Sequence, residues 1–173
     1  MPSFSDLLNV HTSLDELFLE YQRALVQLRV KPASMLLEMY ETKLLAHMRD
    51  EEEHMIPLYA ALGKHERGGA PQIFLNEHNK IREYIALFKQ EMLRLEFAGD
   101  LERSVIWLLD SQTTFKRLLV HHDARERKIL YPALDEVTSA SERERFFTRL
   151  ELVPHVDAPV SSSAESVQTH LSD

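Results

Sequence analysis

The chain has 173 residues, 44% of them apolar, with four glycines, no cysteine and a net charge of −8. That length supports one domain with a sizeable core. The absence of cysteine excludes disulfides, thiolate metal sites, iron–sulfur clusters and thiol catalysis, and the acidic balance argues against broad nucleic-acid binding. No apolar run is long enough for a membrane span. The opening Met1-Pro2-Ser3-Phe4-Ser5-Asp6 lacks the basic and apolar regions of a signal peptide, so the expected compartment is the cytoplasm.

Four long segments carry an apolar stripe at spacings of three and four. The first runs Phe4, Leu7, His11, Leu14, Phe18, Tyr21, Leu25, Leu28. The second runs Leu36, Tyr40, Leu44, His47, Glu51, His54, Leu58. The third is Phe74, His78, Ile81, Ile85, Phe88, Met92, Leu95, and the fourth Leu108, Ser111, Phe115, Leu118, His122, Glu126, Ile129, Ala133. Such seams predict helices packed nearly parallel in a bundle. Lys31-Pro32 is expected to separate the first two. Gly68-Gly69-Ala70-Pro71 separates the middle pair, with Pro71 suited to a first helical position. Gly99-Asp100 ends the third helix and caps the fourth. Short connections make neighbours antiparallel, so the expected fold is all-α: an up-down-up-down four-helix bundle over residues 1–137. The stretch from Glu51 to Pro71 is longer than a simple connection needs, which predicts a bend or break near Pro57. Residues 138–152 are expected to form a short fifth helix, with Ser139 and Glu142 as a capping box. Residues 153–173 read as a polar C-terminal tail.

One spelling occurs twice, 75 residues apart: His47-Met48-Arg49-Asp50-Glu51 with Pro57 beyond it, and His122-Asp123-Ala124-Arg125-Glu126 with Pro132 beyond it. Positions four apart share a helix face, so each copy aims an imidazole and a carboxylate at one point. A further lone histidine, His11 or His78, precedes each copy. All six residues take seam positions where Leu or Ile is expected, and buried carboxylates are costly unless paired or metal-bound. At about 1.5 Å per residue, each hairpin sets its residues about 25–35 Å from its turn, so the four helices meet at one layer. Nitrogen and carboxylate oxygen on facing helices is what a bundle uses to hold a transition-metal pair. An ordinary ion pair on a helix face would need the match to arise twice. A ferritin-like site needs two Glu-x-x-His motifs, whereas only Glu51-x-x-His54 is present. A structural zinc site takes four ligands, fewer than the six that converge. His54, three residues past Glu51, is a candidate for proton transfer or ligation. Asp15 and Glu77 read as partners of the neighbouring imidazoles. His121 lies one step off the seam, and His65, His155 and His170 read as solvated.

At these residues the chain resembles the hemerythrin family, the HHE cation-binding domain. The resemblance covers roughly residues 7–137. It rests on His11-Thr12-Ser13-Leu14-Asp15-Glu16-Leu17-Phe18, His47 to Glu51 through Pro57, Glu77-His78, and His122 to Glu126 through Leu130-Tyr131-Pro132. It implies a four-helix bundle around two non-haem iron ions, oxo- or hydroxo-bridged. Glu51 and Glu126 would be bridging ligands, and His11, His47, His78 and His122 terminal ones. Oxygen-carrying members have two histidines four apart on the third helix. Here the partner positions of His78 hold Phe74 and Arg82. That departure points from reversible oxygen carriage towards binding or reducing a small oxidant (dioxygen, hydrogen peroxide or nitric oxide). The expected activity is oxidase-like or peroxidase/catalase-like, and an electron-donor protein is an expected partner. The alternative is a non-catalytic oxygen or iron sensor, carrier or store.

Overall fold

The computed structural model describes residues 2–150 and contains only helices among them. A 3-10 turn at Phe4–Leu7 leads into α1, Leu8–Val26. Helix α2 spans Val30–Asp50 and continues through a π-helical turn, Glu51–Met55, into α3, Ile56–Ala60. Helix α4 spans Pro71–Leu95. Helix α5, Leu101–Arg125, passes through a second π-helical turn, Glu126–Leu130, into α6, Tyr131–Val137. Helix α7, Ala140–Phe147, is the expected fifth helix, and Ser139 with Glu142 forms its capping box. The tail expected at 153–173 lies outside the described residues.

The four long helices pack in the ring α1–α2–α4–α5–α1, the order of an antiparallel up-down-up-down bundle. Pro71 opens α4, and the Asp100 side chain accepts the Arg103 N–H at 3.0 Å to cap α5. The first connection differs from expectation. Lys31 and Pro32 lie inside the first turn of α2, where proline costs no helical hydrogen bond. The turn is Gln27–Arg29 instead. Leu28 takes φ 56°, and the Leu28 and Arg29 N–H groups donate to the Leu25 and Ala24 carbonyls at 2.8 and 2.9 Å. These bonds close a Schellman motif, whose left-handed position usually holds glycine.

The seams also depart from a simple period, and at the same place in both copies. Past Glu51 the buried residues are Met55, Ile56 and Tyr59 rather than His54 and Leu58. Past Glu126 they are Leu130, Tyr131 and Leu134 rather than Ile129 and Ala133. Each π turn adds one residue, with the Ile56 N–H donating to Glu51 and the Tyr131 N–H to Glu126, five residues back. Pro57 and Pro132 follow directly. A proline cannot donate to the carbonyl four residues back and its ring clashes with it, so the extra residue comes where an α-turn would be strained. A smaller slip occurs on α5, where Gln112 rather than Ser111 is buried. Its amide donates to the Tyr21 hydroxyl at 3.0 Å and its carbonyl accepts from Gln22 at 2.8 Å.

The core falls into two apolar clusters. The larger runs along the bundle through Phe18, Tyr40, Ile85, Phe88 and Phe115. The smaller closes one end with Phe4, Leu7, Met55, Tyr59, Phe74 and Leu134. The Ser3 hydroxyl and the Phe4 N–H both donate to the Asp135 carboxylate, at 2.6 and 2.9 Å. Arg143 donates to the Pro2 and Asp135 carbonyls at 2.9 and 3.0 Å, tying α7 to both. The histidines and glutamates of the repeated spelling lie between the two clusters.

Candidate metal centre

Helix periodicity brings His11, His47, His78 and His122 to one layer, and the two π turns start on the glutamates. Glu51 and Glu126 are fully buried, as is His78, while His47 and His122 are nearly so. The six residues form two groups that share both carboxylates: His11, His47, Glu51 and Glu126, and Glu51, His78, His122 and Glu126. In the first group, the His11 and His47 Nε2 atoms stand 2.8 Å apart. Glu51 Oε1 lies 3.6 Å from His47 Nε2, and Glu126 Oε2 lies 3.3 Å from His11 Nε2. In the second, the His78 and His122 Nε2 atoms are 3.2 Å apart. Here Glu51 Oε2 lies 3.3 Å from His78 Nε2 and Glu126 Oε1 lies 2.7 Å from His122 Nε2. Each carboxylate therefore offers one oxygen to each imidazole pair.

Outer carboxylates turn three of these rings. His11 Nδ1 pairs with Asp123, His78 Nδ1 with Glu52 at 2.8 Å, and His122 Nδ1 with Glu77 at 3.1 Å. A carboxylate accepts, so Nδ1 carries a proton and Nε2 is the nitrogen that faces the site. Arginines hold all three carboxylates: Arg127 donates to Asp123 at 3.1 Å, Arg82 to Glu52 at 2.8 Å, and Arg125 to Glu77 and, at 2.9 Å, to the Gly68 carbonyl. Glu77 thus partners an imidazole, as its place beside the seam suggests, although that imidazole is His122. Asp15, expected to partner His11, is displaced by Asp123 from the facing helix and lines a cavity instead. His121 is exposed. His54 belongs to neither group. The π turn rotates it off the seam, and its ring stands edge-on to Phe146 with centroids 6.0 Å apart.

Sequence reasoning assigned no part to Tyr131, Glu52 or Asp123. Tyr131 is buried, and its hydroxyl donates to Glu51 Oε1 at 2.8 Å. The only trace in the sequence is its place beside Pro132, because in an unbroken α-helix the fifth residue past Glu126 would face away.

The electrostatics match a site made for cations. Burial opposes ionisation of Glu51, but the surrounding His47 and His78 outweigh it and hold the carboxyl well below the usual range. Burial keeps His47 neutral, against the attraction of Glu51. Burial works the same way on His122, but Glu126 and Glu77 prevail and raise it well above the ordinary histidine value. Burial, Glu126 and Glu51 together keep Tyr131 a phenol. Glu51 Oε2 and Glu126 Oε1 are buried without a hydrogen-bond partner. Such orphaned oxygens cost roughly 1–3 kcal/mol or more each, and charged groups cost more than neutral ones. A cation between these carboxylates and imidazoles would relieve that cost, so the donor set fits metal at each of the two groups.

A family model, the hemerythrin HHE cation binding domain, matches residues 3–134. The chain belongs to that family. No curated protein and no solved structure matches it. Among the described residues, no helix is long and apolar enough to cross a membrane.

Proposed function

We propose that the chain holds two iron ions between Glu51 and Glu126 and uses them to bind or reduce a small oxidant. The observation that supports this most is the division of each carboxylate, one oxygen to His11 and His47, the other to His78 and His122. Nitrogen and oxygen donors suit iron, and a family built to bind cations is the setting for them. An iron pair supplies electrons to dioxygen, hydrogen peroxide or nitric oxide when bound.

The protein's own part is positional. Asp123, Glu52 and Glu77 keep Nε2 of three imidazoles facing inward. The two apolar clusters keep bulk water from the layer. A cavity of about 300 Å³ among α1, α2 and α5 is walled by Leu14, Phe18, Leu44 and Met48, and His11, His47 and His122 also line it. It gives a small, weakly polar oxidant a route to the histidines. Phe74 stands where the carriers have a further histidine, so the second group is a ligand short. Turnover then needs electrons from a separate donor protein.

Elemental analysis of protein made with iron tests the reading, with about two irons per chain expected. The reduced protein should be oxidised by air or peroxide within a single mixing experiment. Zinc alone, or no metal, would overturn the iron pair. Oxygen taken up and fully released under vacuum would make the protein a carrier.

A further inference from the structure

The two imidazole pairs do not have equal surroundings. The residue five past Glu51 is Ile56, and the residue five past Glu126 is Tyr131. The π turns bring both back over their glutamates, so the bundle carries a phenol at one position and a hydrocarbon at the other. Besides Glu51 Oε1, the Tyr131 hydroxyl lies 3.3 Å from His11 Nε2 and 3.5 Å from Glu126 Oε2. All three are atoms of the first group. A hydroxyl has one proton and can donate to only one of them.

These separations are those of neighbouring ligands. With bonds of about 2.1 Å, adjacent donor atoms of an octahedral shell stand about 3 Å apart. The phenol oxygen is 2.8, 3.3 and 3.5 Å from the Glu51, His11 and Glu126 atoms. It thus takes the place of a fifth donor around the point where His11, His47, Glu51 and Glu126 converge.

We propose that Tyr131 is a protein ligand of the metal ion held by His11 and His47, resting on the iron-pair reading above. On binding, the phenol O–H bond breaks, an oxygen–metal bond forms, and the proton leaves to solvent. The ions then differ. The one at His11 and His47 has five protein donors, and the one at His78 and His122 has four and stays open. Tyr131 therefore does not fill the gap left at Phe74, because it serves the other ion.

Ferric phenolate absorbs visible light by charge transfer, and excitation there enhances the phenolate ring vibrations. The full chain, purified in air with iron, should show both, with ring vibrations that shift when tyrosine is isotopically labelled. Tyr131→Phe should lose the visible band and keep about two irons, while Tyr21→Phe and Tyr59→Phe keep the band. Two irons without phenolate vibrations in the wild-type protein would overturn the ligand and leave the iron pair standing. A band that persists in Tyr131→Phe would do the same. Iron-free protein would overturn both. The labelled wild-type spectrum decides even if Tyr131→Phe folds poorly.

Discussion

Glu51 and Glu52, adjacent in the chain, meet opposite nitrogens of one imidazole. Glu51 Oε2 lies 3.3 Å from His78 Nε2, and Glu52 Oε1 accepts from His78 Nδ1 at 2.8 Å. Neighbours on a regular α-helix point about 100° apart and rarely share a partner. The π turn that starts at Glu51 brings these two together. Glu52 fixes which nitrogen of His78 faces the site, and Arg82 fixes Glu52.

Glu52→Gln should weaken metal binding by roughly 10–100-fold, the usual cost of losing such an outer partner. Competition against a chelator measures it. Glu53→Gln, at an exposed neighbouring position, should change nothing. Equal affinities in the two variants would show that His78 needs no orienting partner.

Metal should add to stability, because it binds the folded chain and relieves the crowding of Glu51 and Glu126. At free metal a hundredfold above Kd, the gain is about 2.7 kcal/mol. Calorimetry with and without a chelator should show a lower Tm for the metal-free protein. Glu51→Ala and Glu126→Ala should lose metal, whereas His65→Ala should keep it.

Metal uptake should release a proton from His122. Its folded value is raised, so at pH 7 the metal-free protein holds the proton that a metal must displace. The stabilisation it gives the metal-free fold is fully present below about pH 6.5 and is lost as pH rises through the raised folded value. Titration calorimetry in two buffers of different ionisation enthalpy counts the protons. His122→Gln should lower the count. His47→Gln should not, since His47 is already neutral.

The closed end of the bundle should depend on Asp135. Asp135→Ala leaves the Phe4 N–H in a buried place without its acceptor, at a cost of about 1–3 kcal/mol. Urea unfolding should show the lower midpoint. Metal content should stay at the wild-type level, because no ligand touches Asp135.

Much of this architecture was legible in the chain because the seam period and the repeated His-Glu spacing are local signals. All seven seam positions expected on α4, from Phe74 to Leu95, are buried. The repeat also brought all six chosen residues into one layer. What escaped detection is geometry without a residue signature. A π turn adds one residue without glycine, and so moved the seam from His54 to Met55 and carried Tyr131 inward. Leu28 occupies a conformation that glycine normally marks, so the first turn was placed at Pro32. Asp123 reaches His11 from a facing helix, which no local spacing encodes, whereas Asp15 had the local spacing and not the contact.

The sharing of Glu126 between both groups has a consequence for how the protein is made. The first group needs α1, α2 and the turn after α5, and the second needs the turn after α2 together with α4 and α5. No N-terminal fragment that stops short of residue 126 can complete either coordination set. On the ribosome, His11, His47 and His78 must wait in an incomplete layer until almost three-quarters of the chain has emerged. On the metal-pair proposal, metal delivery is a late event in biogenesis, and a product cut short before the second His-Glu copy should be metal-poor however well its first helices fold.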